Sequence, residues 1–251
     1  MSSSRHLLLL SLAVGIAAAP HAAVAAVNPI TVATSVDLLD GEDGICSLRE
    51  ALFSAKANAQ YSQLAGECPA GSGAMTDVVV LVSGVTYDLS LVGDGGGDLD
   101  VGNDPVLPAD ITDVRFETSG AAKATLRQTV ADQRVMNVDA EARVEIDNLI
   151  LRDGDADQGG GIYTKGGQVV LTRSTLAANS AATGGAVTVV GGRLEAQDSQ
   201  FLFNTATLSG GAVELNEATG VFRHSLLQGN SATQQEGGGV YAVKSEVAFL
   251  D

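Results

Sequence analysis

The chain has 251 residues, with 14 Lys and Arg against 30 Asp and Glu and a formal net charge of −16. An excess of that sign leaves no basic footprint for nucleic acid or for an anionic membrane surface, and excludes both as partners. Trp is absent, Phe and Tyr number six and four, and Gly reaches 30, so a core must be built from many small aliphatic layers.

Residues 1–26 read as a secretory signal peptide. Arg5 supplies the positive start, and Leu7 to Ala19 is an apolar run too short to span a bilayer. Ala23-Val24-Ala25 and Val24-Ala25-Ala26 are both small-residue cleavage sites, so the cut falls after Ala25 or Ala26. The mature chain is expected to be exported, to the periplasm, the medium or the cell surface, with no insertion of its own into a membrane. His6 and His21 leave with the signal, and His224 stays.

Residues 27–75 read as an N-terminal capping module. In "DGEDGICSLREALFSAKANA", Asp40 to Ala59, Ser47 and Glu50 fit S-x-x-E, the capping box of a helix start. Leu48, Ala51, Leu52, Ala55 and Ala59 then share one helix face. Cys46 and Cys68 are the chain's two thiols. Export favours a disulfide between them over two buried free thiols, and a single remaining histidine disfavours zinc.

Residues 76–251 read as a repeat, irregular over 76–141 and regular over 142–251. "DVVVLVSGVTYDLSL" and "ATLRQTVADQRVMNVDAEARVEI" alternate like strands, with "GDGGGDLDVGNDPVLPADI" as a loop between them. Further on, Leu151, Leu176, Phe201 and Leu227 recur at steps of 25, 25 and 26, as do Ile146, Leu171, Ala196 and Phe222, and Ala156, Ala181, Ala206 and Ala232. Each unit offers short alternating runs separated by polar or Gly turns, and nowhere the ten or so residues of helical period that a helical repeat needs. Three short strands per unit, repeated in register, give an all-β fold: a single-stranded parallel β-helix with coils of about 25 residues, rising about 4.8 Å each. The N-terminal helix is expected to lie across its open end.

Two polar columns keep the same step. Asn179, Asn204 and Asn230, headed by Gly154, fit an asparagine ladder inside a turn. Asn148, Arg173, Asp198 and His224 form the more varied row. Stacking is expected to pair Arg173 with Asp198 and to set His224 beside Asp198, as a solvated charge ladder or as a row presented to a ligand.

The run "CSLREA", Cys46 to Ala51, preceded by "NPITVATSVDLLDGEDGI", resembles the CSLREA domain of exported bacterial proteins. The repeats with "GGGIY" and "GNSA" resemble the right-handed, pectate-lyase-like parallel β-helix of polymorphic outer-membrane and autotransporter-type proteins. Together the resemblances cover about residues 28–251. They imply an N-terminal module leading into a β-helix and carry no catalytic residue across. Many such relatives continue to a C-terminal anchor or barrel. Here "SEVAFLD" reads as the opening strand of a fifth coil, which implies either a fragment of a longer adhesin or end-to-end association through that coil.

A β-helix also hosts polysaccharide lyases and glycoside hydrolases. The acidic residues of the coils, Glu145, Asp147, Asp153, Asp155, Asp157, Glu195, Asp198, Glu214 and Glu217, do not repeat in one column, and no cofactor is called for. A structural or adhesive protein, not an enzyme, is the expectation, with a glycan or a cell-surface protein as partner. Asp153, Asp155 and Asp157 at alternate positions, and Asp94, Asp98, Asp100 and Asp104 among glycines, could hold Ca²⁺ if a turn converges them; otherwise they are solvated loops.

Overall fold

Alternation of small aliphatic and polar residues means that each strand buries one face and wets the other. The computed structural model follows that rule throughout. It describes residues 29–72, 76–92, 97–102, 113–234 and 236–251, so the predicted signal peptide lies outside the described residues.

The described strands form four parallel sheets. Sheet I runs through Ile30–Thr31, Asp77–Leu81, Asp113–Thr118, Arg143–Asp147, Gln168–Thr172, Arg193–Gln197, Thr219–Arg223 and Glu246–Leu250. Sheet II holds Thr86–Leu89, Ala124–Gln128, Leu149–Arg152, Thr175–Ala177, Gln200–Leu202 and Leu226–Gln228. Sheet IV holds Leu99–Val101, Met136–Val138, Ile162–Lys165, Val187–Val190, Val213–Asn216 and Val240–Val243. The fold is a parallel β-helix, as the periodicity predicts, but three strands per coil holds only for the first two coils. From Asp155 onward a fourth strand appears, in sheet III: Asp155–Gln158, Ser180–Thr183, Thr205–Ser209 and Ser231–Ala232. The predicted loop over 93–111 likewise contains the strand Leu99–Val101.

The columns superpose. Leu151, Leu176, Phe201 and Leu227 are register partners in successive coils. The sheet I column runs Ile30, Val79, Phe116, Ile146, Leu171, Ala196, Phe222, Phe249. Its members from Ile30 to Phe222 are all buried, and Phe222 packs edge-on against Phe201 at 5.8 Å. The change of step from 25 to 26 is a bulge: Thr207 and Leu208 together oppose Ala182 between the paired Ala181–Ala206 and Thr183–Ser209.

Four corners turn each regular coil, and at each one residue adopts the left-handed conformation. The first corner uses Asn148, Arg173, Asp198 and His224, at φ between 46° and 62°. The second uses Asp153, Ala178, Phe203 and Gly229; the third Gly159, Gly184, Gly210 and Gly237; the fourth Gly166, Gly191, Glu217 and Lys244. Only the third is glycine in every coil, because a Cβ on Gly159 would sit 2.1 Å from the Ile162 carbonyl oxygen. At Gly191 nothing lies within 4 Å, and that corner accepts Glu and Lys in later coils.

The N-terminal end is closed by the helix Leu48–Ala57, here α1. Its capping box is formed: Ser47 Oγ accepts from Glu50 N–H, and a Glu50 carboxylate oxygen accepts from Ser47 N–H at 2.9 Å. Leu48, Ala51, Leu52 and Ala55 are buried against the first coil, and Cys46 is disulfide-bonded to Cys68. Ala59 does not join that face. Asn58 turns left-handed at φ 47° and ends the helix before it.

Candidate binding groove

Sheet III begins at Asp155–Gln158, and the coil beneath contributes no strand to it. Four-sided coils therefore rest on three-sided ones, and the step leaves a groove of about 530 Å³ at the corner of sheets III and IV. Arg134 lines it from the lower coil; Asp157, Gln158 and Tyr163 come from the first four-sided coil, Ala182 and Thr183 from the next, and Leu208 from the bulge above.

The groove is pre-arranged. The Arg134 guanidinium lies over the Tyr163 ring, 4.9 Å from its centroid, and its Nε is 3.4 Å from an Asp98 carboxylate oxygen. Burial pushes the Asp98 carboxyl above its ordinary range, the Asp100 charge adds to that, and Arg134 opposes it. Thr183 Oγ1 is buried without a hydrogen-bond partner. Asp157 and Gln158 are both exposed, and Asp157 makes no ion pair with a described residue.

The predicted row Asn148, Arg173, Asp198 and His224 does stack, as a column of corner residues whose N–H groups bond to the coil above. Its predicted pairing is corrected. Arg173 turns to Asp147 in the coil below, at 2.5 Å, and not to Asp198, because the Asp147 side chain is 13% exposed against 47% for Asp198, and the less solvated carboxylate attracts a cation more strongly. His224 Nδ1 lies 3.5 Å from Asp198, both exposed, so that contact contributes at most about 1 kcal/mol. Asn148 Nδ2 donates to Thr118 Oγ1 at 2.9 Å.

The acidic runs do not converge as a turn. Asp155 and Asp157 lie in an extended strand, and Asp153 is engaged by Arg152 at 2.8 Å. Asp98 faces Arg134, while Asn137 Nδ2 bridges Asp100 and Asp139 at 3.1 Å each. Asp94 and Asp104 lie outside the described residues. Among the described residues no three His, Cys, Asp or Glu side chains are grouped to hold a metal ion.

The asparagine ladder is present. Asn179 Nδ2 donates to Asn204 Oδ1 at 3.0 Å and Asn204 Nδ2 to Asn230 Oδ1 at 2.9 Å, while the same oxygens accept from the Asn179 and Asn204 N–H groups. Gly154 N–H closes the lower end on Asn179 Oδ1. A second ladder escapes the sequence reading: Ser174 N–H donates to Ser199 Oγ at 3.1 Å and Ser199 N–H to Ser225 Oγ at 3.3 Å. Its signal was there, since Ser174, Ser199 and Ser225 keep the 25 and 26 step.

The hexapeptide Cys46–Ala51 is wholly engaged in structure. Cys46 is in the disulfide, Ser47 and Glu50 form the cap, and Leu48 and Ala51 are core. Arg49 forms a buried ion pair with Asp37, Nε to Oδ1 at 2.5 Å. No family model, curated protein or solved structure matches the chain.

Proposed function

We propose that the chain is an exported, surface-displayed β-helix whose role is structural and adhesive, with a glycan or a cell-surface protein as partner. One observation carries this reading. The asparagine and serine ladders and the hexapeptide are engaged in holding the solenoid together, and a long face of the rod carries a groove in which Asp157 and Thr183 Oγ1 have no partner among the described residues. Three further features support it. The disulfide suits an oxidising compartment. The signal-like residues 1–26 suit export. The likeness of Cys46–Ala51 and of the repeats to exported β-helix proteins suits display.

The test is adhesion. Beads coated with the mature chain should bind cells or immobilised glycans, and Arg134→Ala with Tyr163→Ala should reduce that binding while the circular dichroism spectrum shows the chain still folded. Turnover of a polysaccharide, lost on either substitution, would replace adhesion by catalysis.

A further inference from the structure

Resting on the adhesive reading, we infer that the groove between sheets III and IV binds a saccharide segment that is uncharged or carries amino groups, and discriminates against uronate-bearing glycans.

The shape comes first. The groove crosses from the coil of Asp157 to the bulge at Leu208, two coil rises or about 10 Å, which is the length of a disaccharide. An extended peptide joining by strand addition would need a long free strand edge. Sheet IV offers none here, because Ile162–Lys165 is paired on both sides, and the free edge of sheet III, Asp155–Gln158, is four residues long with its Asp155 N–H already bonded to the Gln133 carbonyl.

The lining comes second. Arg134 offers only donors, Asp157 only acceptors, and Gln158, Thr183 and Tyr163 offer both. A pyranose ring presents hydroxyls that both give and take, above an apolar C–H face. Ala182 and Leu208 supply apolar contact in the same groove. Thr183 Oγ1, buried and unpartnered, is a polar atom that a ligand hydroxyl would satisfy.

Charge decides the class. Asp98 already faces Arg134 at 3.4 Å, so the guanidinium is not a free anion receptor. Asp157 has no counter-ion among the described residues, and the chain as a whole carries −16. A uronate carboxylate would enter beside an uncompensated aspartate, whereas an ammonium group would pair with it.

The experiment titrates the mature full-length chain with three panels of tetrasaccharides by calorimetry: neutral hexose oligomers, glucosamine oligomers and oligogalacturonate. Glucosamine oligomers should bind tightest, neutral ones next, and oligogalacturonate at least about ten-fold more weakly than neutral. Asp157→Asn, at an exposed position that the fold does not need, should abolish the amine preference and bring oligogalacturonate up toward the neutral panel. Arg134→Ala should weaken all three. Oligogalacturonate binding as tightly as the neutral oligomers would overturn the inference, as would discrimination that survives Asp157→Asn, or no binding by any panel. In that last case, bead adhesion to cells that persists in the Arg134→Ala, Tyr163→Ala variant would keep the chain adhesive through another face; its absence would remove both readings.

Discussion

Arg49 on the cap helix holds Asp37 through two bonds, Nε to Oδ1 at 2.5 Å and an Nη to Oδ2 at 3.1 Å, with both side chains almost wholly buried. The pair is a bolt between the cap and the first coil. The same guanidinium donates to the carbonyls of Gly97 and Asp98, and Asp37 Oδ2 accepts from Ser90 and Leu91 N–H. Removing Arg49 leaves a buried carboxylate without its cation, which costs about 3–5 kcal/mol. Arg49→Ala should therefore lower the denaturant midpoint steeply, and hydrogen exchange should show α1 and the strand Asp77–Leu81 opening first. Lysine cannot reproduce the forked contact, so Arg49→Lys should recover only part of the loss. Adding Asp37→Asn to Arg49→Ala should restore some stability; a further loss would mean that the ion pair is not what holds the cap.

The cap shows what local sequence can and cannot reveal. Ser47, Glu50, Cys46 and Cys68 announce themselves through spacing and number, because a capping box is local and only two thiols exist. Arg49 does not, because its partners come from separate, non-periodic segments around Asp37, Ser90 and Gly97. The coils divide in the same way. Leu151 and Ile146 lead apolar columns that any register must bury, and they stack as read. Sheet III is not legible in the sequence because Asp155–Gln158 is polar and largely exposed, with no apolar alternation to mark it. The groove exists only where three-sided coils give way to four-sided ones, so it was invisible for the same reason. Arg173 was legible as a stacked residue but not as the partner of Asp147, since an arginine reaches a coil either way.

A rung of the asparagine ladder should be worth more than a rung of the serine ladder beside it. Asn204→Ala orphans Asn179 N–H, the Leu176 carbonyl that Asn204 Nδ2 serves, and one bond of Asn179 Nδ2. Each buried group left unpaired costs about 1–3 kcal/mol, so a total loss of about 3 kcal/mol or more is expected. Ser199→Ala removes one hydroxyl from the parallel ladder and should cost about 1 kcal/mol. Chemical unfolding of both variants checks the order. Equal losses would mean that the corners, not the amide rungs, set the stability of these coils.

The N-terminal end should tighten on mild acidification. Burial comes first in raising the carboxyls of Asp98, Asp139 and Glu50, and Asp100 repels both Asp98 and Asp139. A carboxyl with a raised folded pKa binds its proton more tightly when folded than when unfolded. Its contribution to stability is then present below the ordinary carboxylate range and lost as pH rises through the folded value. The unfolding temperature should thus increase as pH falls from neutral toward the ordinary carboxylate range of about 4, with the slowing of exchange concentrated in Leu99–Val101 and Met136–Val138. Asp139→Asn should flatten part of that rise, and a profile that falls over this interval would refute the assignment.

Phe203 occupies the second corner at φ 55°, where a bulky side chain is strained, yet 63% of it is exposed. The position is not forced to be aromatic, since the same corner is Ala178 in the coil below and Gly229 in the coil above. Little burial offsets the strain, which amounts to about 1–2 kcal/mol for a non-glycine residue. Phe203→Gly should remove that strain and raise the unfolding temperature by about 2–4 °C, less the entropy that glycine returns to the unfolded chain. A fall of several degrees would mean that the ring's contact with Gly229 outweighs its backbone. If stability rises while beads coated with the variant adhere less, the aromatic is kept at a strained corner for what it touches outside the molecule, the pattern expected of a contact residue on an adhesive rod.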